Sequence, residues 1–323
     1  MREFWDKDIR YSLCRKYVDF CTRRCFRRTE IRGTLPHWEE GSWLVTSNHT
    51  STLMDALVTL PLQKGPFSFG ARADIFNQPA VAKIMRFLKI LPMVRRRDGI
   101  RNVLRNYETM DEVQDVLANN TPFCMFPEGR HNPGRELQPL QKGIARMAFQ
   151  SAAVRPTQVV PVGINYSDFF QYRGTCDVTY GEPIDVNAFL AEHEDMLEGA
   201  RYQAFLEELY KRMSALVWPE VKDERPLWNL IPLAVLWIPS AILSFPMWFT
   251  AEWLCKHNVK DRAFHNTVRF GCRLIGGPVT FIIWAVVFFL LFPWSLACAL
   301  LLLFVFSYSI FYDGLYFFRR RRD

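Results

Sequence analysis

Residues 279–312 contain no charged side chain over 34 positions, and this stretch constrains the fold more than any other part of the chain. One membrane crossing needs about 20 residues. The stretch is therefore too long for one span and suits two short ones meeting at Phe292-Pro293-Trp294. Upstream, residues 227–253 are also apolar but carry Pro232, Pro239 and Pro246, while residues 254–275 return to basic and polar character. The first 226 residues mix charged and apolar groups evenly. The chain thus divides into an α/β domain over 35–220 and a membrane-associated region over 227–323, whose apolar segments are 227–253, 277–292 and 294–312. The charged, proline-flanked segment Trp218 to Pro226 marks the boundary. Lys256, Lys260, Arg262, Arg269 and Arg273, with the Arg319 to Arg322 tail, place the 254–275 loop and the C-terminus on the cytosolic side. The segment 227–253 then starts and ends on one side. Its prolines predict a re-entrant or interfacial hairpin.

The net charge is +7 and the pI about 9.0. Such a surface suits nucleic acid, anionic lipid or a phosphorylated substrate. No zinc-finger spacing or RNP-like segment accompanies it, so no nucleic-acid partner is expected. Residues 1–34 predict a basic amphipathic helix. Phe4, Ile9, Leu13, Tyr17, Phe20 and Cys21 recur at helical steps, with Arg10, Arg15, Lys16, Arg23, Arg24, Arg27 and Arg28 between them. That helix suits an anionic membrane interface, packing on the domain, or both. The eight cysteines form no C-x-x-C pair and the six histidines no H-E-x-x-H, so neither a disulfide framework nor a metal is expected.

Strands are predicted at 43–47, 67–71, 91–94, 122–126, 158–165 and 176–184. Helices are predicted through Leu60 and at 79–89, 100–118, 139–152 and 198–217. The alternation implies a mixed, mostly parallel sheet covered by helices, with sites at the carboxyl ends of the strands. Three constellations follow strands. Asn48-His49 with Asp55 supplies a base and a carboxylate to orient it. Six residues on one helix lie about 120° out of register. The pair therefore meets only if His49 stands at the strand-to-helix turn and Asp55 in the first helical turns. Arg95, Arg96 and Arg97 after an apolar strand offer forked donors for phosphate, although such runs are commonly solvated faces. Phe126-Pro127-Glu128-Gly129-Arg130, with Lys142 and Arg146 downstream, places a carboxylate and a flexible backbone at a strand end.

Taken in order, these blocks resemble the PlsC-like glycerolipid acyltransferases, the lysophosphatidate and glycerol-3-phosphate acyltransferase family, over residues 40 to 220. Asn48-His49 with Asp55 corresponds to the family's histidine–aspartate block. Arg95 to Arg97 corresponds to the second, Phe126 to Arg130 to the third and Val160-Pro161-Val162 to the fourth. Arg72 stands where the family often has a basic residue. The family's common spacing is H-x4-D; here five residues separate the pair and Met54 holds the usual aspartate position, as in a branch that includes some fungal glycerol-phosphate acyltransferases. The resemblance implies His49 and Asp55 as the catalytic pair, and Arg72, Arg95, Arg96, Arg97, Glu128, Gly129, Arg130 and Lys142 as substrate-binding. It implies a membrane enzyme with a cytosolic catalytic domain and no cofactor. The acyl donor would be acyl-CoA or acyl carrier protein, and the acceptor 1-acyl-glycerol-3-phosphate, with glycerol-3-phosphate or another lipid as alternatives. A phospholipid-remodelling transacylase or lipid hydrolase would use the same pair.

Overall fold

The computed structural model describes residues 8–33, 41–62, 65–93, 103–217, 220–223 and 230–320. In chain order the elements are α1 (Ile9–Cys25), β1 (Arg28–Arg32), β2 (Ser42–Ser47), α2 (Leu53–Thr59), β3 (Ser68–Arg72), α3 (Pro79–Phe87), β4 (Ile90–Met93), α4 (Val103–Ala118) and β5 (Phe123–Met125). There follow α5 (Gly143–Ala152), β6 (Thr157–Tyr166), β7 (Thr175–Tyr180), β8 (Ile184–Asp185), α6 (Val186–Glu192), α7 (Glu198–Ser214), α8 (Leu230–His257), α9 (His265–Leu291) and α10 (Trp294–Arg320).

Among the described residues the strands form one sheet ordered β1-β7-β6-β2-β5-β3-β4, with β8 beside β6. The run β6-β2-β5-β3-β4 is parallel; β7 and β8 are antiparallel to β6. Alternate side chains of a strand point to opposite faces, and both faces are apolar. Leu44 and Val159 pack with Val113, Leu117, Ile144, Met147, Phe205 and Leu209 from α4, α5 and α7. Val45 and Val160, next in each strand, pack on the other face with Cys21, Cys25, Met54 and Leu57 from α1 and α2. That second core continues into the C-terminal helices through Leu243, Met247, Phe270 and Tyr308.

Pro161 sits in the middle of β6, where a missing N–H would ordinarily break a ladder. It falls between the stretch paired with β8, which ends at Val159, and the stretch paired with β7, which begins at Val162. Its carbonyl takes the Gly181 amide at 2.9 Å.

Three expectations for this domain are corrected. Residues 28–32 leave the N-terminal helix and form β1, parallel to β7 at the sheet edge. The strand expected over 176–184 is cut by Gly181-Glu182-Pro183 into β7 and β8. Arg15, expected among the basic residues of the amphipathic helix, is buried and donates to the Leu60 and Gly65 carbonyls. The boundary segment is partly tied down: Asp223 accepts from Arg27 at 2.9 Å and from Thr175 at 3.0 Å.

The outer face of α1 carries an apolar stripe beside exposed Arg10, Ser12, Lys16 and Arg23. Ile9 is 73% and Leu13 61% exposed, while Tyr17 on the same side donates to the Leu274 carbonyl of α9 at 2.9 Å.

Among the described residues the C-terminal region packs three long helices, α8, α9 and α10. Arg262–Leu291 and Trp294–Tyr316 are long and apolar enough to cross a membrane. They turn at Phe292-Pro293, and Ile275, Ile282, Leu290, Leu291 and Trp294 face outward. Residues 254–275, expected as a loop, are mostly helix, with a short turn near 258–261.

Of the segment expected as a hairpin, the described residues from Leu230 onward are helical through Pro239 and Pro246, without an open turn. Yet Trp237 and Glu252, on either side of the prolines, meet one turn of α10. The Trp237 indole donates to the Phe311 carbonyl at 3.1 Å, and Tyr312 donates to Glu252 at 3.3 Å. Between them the Leu243 carbonyl takes the Trp284 indole at 3.1 Å. Trp284 lies about four turns along α9 from Arg269, which holds Glu252 at 2.8 Å. The middle of α8 is thus displaced along α9 from its ends, as internal prolines that each delete a helical hydrogen bond allow.

Candidate active site

Asn48 lifts the next residue out of the sheet. Its side-chain oxygen accepts from the Ile164 amide at 2.7 Å, and its side-chain NH₂ donates to the Ile164 carbonyl at 2.9 Å. The side chain thus supplies the next rung of the β2–β6 ladder while the backbone turns away. His49 is then presented at the carboxyl end of a central strand. Three residues later Thr52 adopts φ 51°, ψ −123° as the residue before α2, a conformation strained for a β-branched side chain. Its hydroxyl meets the Thr267 hydroxyl of α9 at 2.9 Å.

This turn brings His49 and Asp55 together as their spacing requires. His49 Nδ1 lies 2.8 Å from Asp55 Oδ2. The same oxygen accepts from the Thr50 and Ser51 amides at 2.8 Å each, and Oδ1 accepts from the Tyr166 hydroxyl at 2.8 Å. Burial, then the adjacent Asp55 charge, pushes the Tyr166 phenol well up, so it stays a donor. Asp55 is fully buried and met by donors on both oxygens. His49 Nδ1 therefore donates, and Nε2 keeps its lone pair for a proton. Phe126 stacks on the His49 ring at 4.3 Å and 17°.

Glu128 ties the turn bearing His49 to the loop that follows β5. Its Oε1 accepts the His49 amide at 2.6 Å and its Oε2 the Gln138 amide at 3.0 Å. It is buried and clamps two loops together. Burial raises its carboxyl pKa; the two amides oppose that rise. Gly129, at φ +69°, makes the turn that follows. Asn132 completes the clamp, its amide donating to the His49 carbonyl at 2.8 Å.

The remaining expected residues divide. Arg72 ends β3 on the same sheet edge as His49, two strands away, and its exposed guanidinium pairs with Asp74. Arg130 is exposed and donates to Gln138 at 3.2 Å. Lys142 is exposed at the start of α5. Arg95, Arg96 and Arg97 lie outside the described residues.

Sequence reasoning did not find Tyr166 or a second histidine–carboxylate pair. His131 Nε2 lies 2.8 Å from Asp261 Oδ2, and the His131 ring stands edge-on to His49 with centroids 6.0 Å apart. Asp261 belongs to the turn between α8 and α9. The Ala263 amide, then His131, holds its carboxyl below the usual range. Phe264 meets the His131 ring at 5.2 Å. No local pattern links residues 130 positions apart, so this pair had no sequence signal.

Residues 28–165 match the family model described as Acyltransferase. Glycerol-3-phosphate O-acyltransferase 2 of Saccharomyces cerevisiae is 36% identical over 90 residues, covering 27% of this chain and 12% of that protein. Glycerol-3-phosphate O-acyltransferase 1 of the same yeast is 34% identical over 77 residues, covering 23% and 10%. An uncharacterised acyltransferase of Schizosaccharomyces pombe is 29% identical over 79 residues, covering 24% and 12%. The matched stretch thus spans only about an eighth of these relatives' length or less. Among solved structures, the 1-acyl-sn-glycerophosphate acyltransferase PlsC from Thermotoga maritima superposes with a TM-score of 0.47 and 20% identity, covering 66% of this chain and 81% of that one.

Proposed function

We propose that this chain, whose residues 28–165 match the family model described as Acyltransferase, is a glycerolipid acyltransferase that moves a fatty acyl group from a thioester to a hydroxyl of a glycerol phosphate. The observation that carries this reading is the His49–Asp55 pair, with His49 Nε2 free at a strand end beside the membrane helices. His49 removes the acceptor's hydroxyl proton as the oxygen attacks the thioester carbonyl. Asp55 holds the ring and stabilises the imidazolium. Collapse of the tetrahedral adduct expels the thiolate, which takes up the proton. The acceptor oxygen is the nucleophile, so no acyl-enzyme is formed.

The acceptor is 1-acyl-glycerol-3-phosphate, bound through its phosphate by exposed cations, among them Arg72 at the end of β3, Arg130 in the loop after β5 and Lys142 at the start of α5. The donor is acyl-CoA or acyl carrier protein. A second reading takes glycerol-3-phosphate as acceptor; the names of the two Saccharomyces cerevisiae relatives favour it. The α9–α10 hairpin crosses the bilayer, the exposed apolar stripe of α1 lies in the interface, and the catalytic domain faces the cytosol.

The test is purified full chain in lipid nanodiscs with a labelled acyl thioester, offered glycerol-3-phosphate, 1-acyl-glycerol-3-phosphate and lysophospholipids in parallel. Labelled product with a phosphate-monoester acceptor supports the reading. Thioester-independent acyl exchange between phospholipids, or hydrolysis alone, would replace it with the transacylase or hydrolase.

A further inference from the structure

We infer that His131, held by Asp261, binds the phosphate of the acceptor, so that the membrane helices complete the acceptor site. This assignment rests on the acyltransferase reading above and adds to it a residue that recognises the substrate.

Geometry is the first support. The reacting hydroxyl must sit at His49 Nε2. In a glycerol phosphate the hydroxyl oxygen is four or five bonds from phosphorus, which at about 1.5 Å per bond places the phosphate ~4–6 Å away. The His131 ring stands edge-on at 6.0 Å from the His49 ring, close enough for the two ends of one such group to reach both rings.

The second support is bonding capacity. His131 gives Nε2 to Asp261, which fixes the ring and leaves Nδ1 for a ligand. A phosphate monoester has a second pKa near 6. It offers acceptor oxygens and, when singly ionised, a hydroxyl as well. It therefore bonds to Nδ1 whether that nitrogen carries a proton or a lone pair.

The third support is placement. The loop bearing His131 is tied to His49 through the Asn132 amide, and Asp261 lies just ahead of the spanning helix. The side chains of His131 and Asp261 are 25% and 51% exposed, so the pair opens to the outside of the protein rather than into the core. It stands where the catalytic domain meets the apolar helices, the level at which a lipid headgroup lies.

The experiment compares two acceptors that differ only in the phosphate, 1-acyl-glycerol-3-phosphate and 1-acyl-glycerol, on one preparation of each protein. Partial misfolding then cancels from the ratio of their kcat/KM values. The wild type should favour the phosphorylated acceptor. In His131→Ala that ratio should fall about tenfold or more, as for loss of one hydrogen bond to a charged group. The loss should appear mainly in the acceptor KM. Asp261→Asn, which loosens the ring without removing it, should shift the ratio the same way by less, and His131→Gln should recover part of it. A His131→Ala ratio within about twofold of wild type overturns the assignment. A wild type without preference for the phosphorylated acceptor overturns the acyltransferase reading as drawn, and this assignment with it.

Discussion

His49 and Asp55 form a pair in which every second partner is accounted for, and this sharpens what each substitution should do. His49→Ala removes the base but none of the hydrogen bonds that Asp55 receives from Thr50, Ser51 and Tyr166. Transfer should drop by about 10²–10⁴-fold or more, with thermal stability in detergent nearly unchanged. Turnover near wild type in a folded His49→Ala protein would refute His49 as the base. Glu128 predicts a pH effect instead. Its carboxyl pKa is raised in the folded protein, mainly by burial. A raised acid pKa means the folded state binds the proton more tightly than the unfolded chain. The ionised form therefore costs stability above the folded pKa, and that cost disappears as pH falls through the raised value to the ordinary one. Wild type should accordingly gain stability relative to Glu128→Gln on acidification through that window. Unfolding midpoints measured between neutral pH and pH 4 test it, and a constant difference would contradict the shift.

Among the elements, those built by pattern were legible in the sequence and those built by tertiary pairing were not. The apolar runs of β2, β5 and β6 have their own signal, and so does the strand-to-helix turn at Asn48-His49. β1 has none: its sequence is Arg-Thr-Glu-Ile-Arg, Ile31 is exposed, and only backbone pairing with β7 makes it a strand. The break between β7 and β8 follows from Gly181-Glu182-Pro183, whose turn chemistry is local but was overridden by the apolar run around it. α6 starts at its Asp185 cap and is too short for its period to stand out. The prolines of α8 signalled a bend, but the continuity of the helix through them comes from packing on α10. That packing is testable. A Cβ on Gly314 would fall 2.0 Å from the Trp237 ring, and an indole held by the Phe311 carbonyl cannot swing aside. Gly314→Ala should destabilise the helical unit by about 1–3 kcal/mol. Gly276→Ala, whose nearest new contact is Met247 at 3.7 Å, should be tolerated. Melting in detergent separates the two, and equal midpoints would mean that α8 does not sit on α10 at this point.

For the whole molecule, the contacts between the two parts fix which ends lie together. Asp261 bonds His131, Asn266 donates to the Phe169 carbonyl at 3.1 Å, and Arg173 pairs with Asp313 at 2.6 Å. The start of α9 and the end of α10 are therefore both seated on the catalytic domain. The Phe292-Pro293 turn is the far end of the hairpin, about 40 Å from the start of α9 at the helical rise. That length exceeds the hydrocarbon core of about 30 Å, enough for the proposed hairpin to reach the opposite face even when tilted. In the proposed topology the charge pattern gives the direction: Lys256, Lys260 and Arg262 crowd the seated end while no charge lies near the turn. In sealed membrane vesicles of known orientation, a cysteine at Asn258 should react with an impermeant thiol reagent only from the cytosolic side, and one at Pro293 only from the other. Reaction of both from the same side would show that the α9–α10 hairpin lies on the membrane without crossing it. Reaction of position 258 from the non-cytosolic side would reverse the arrangement and place the catalytic domain away from the thioester pool.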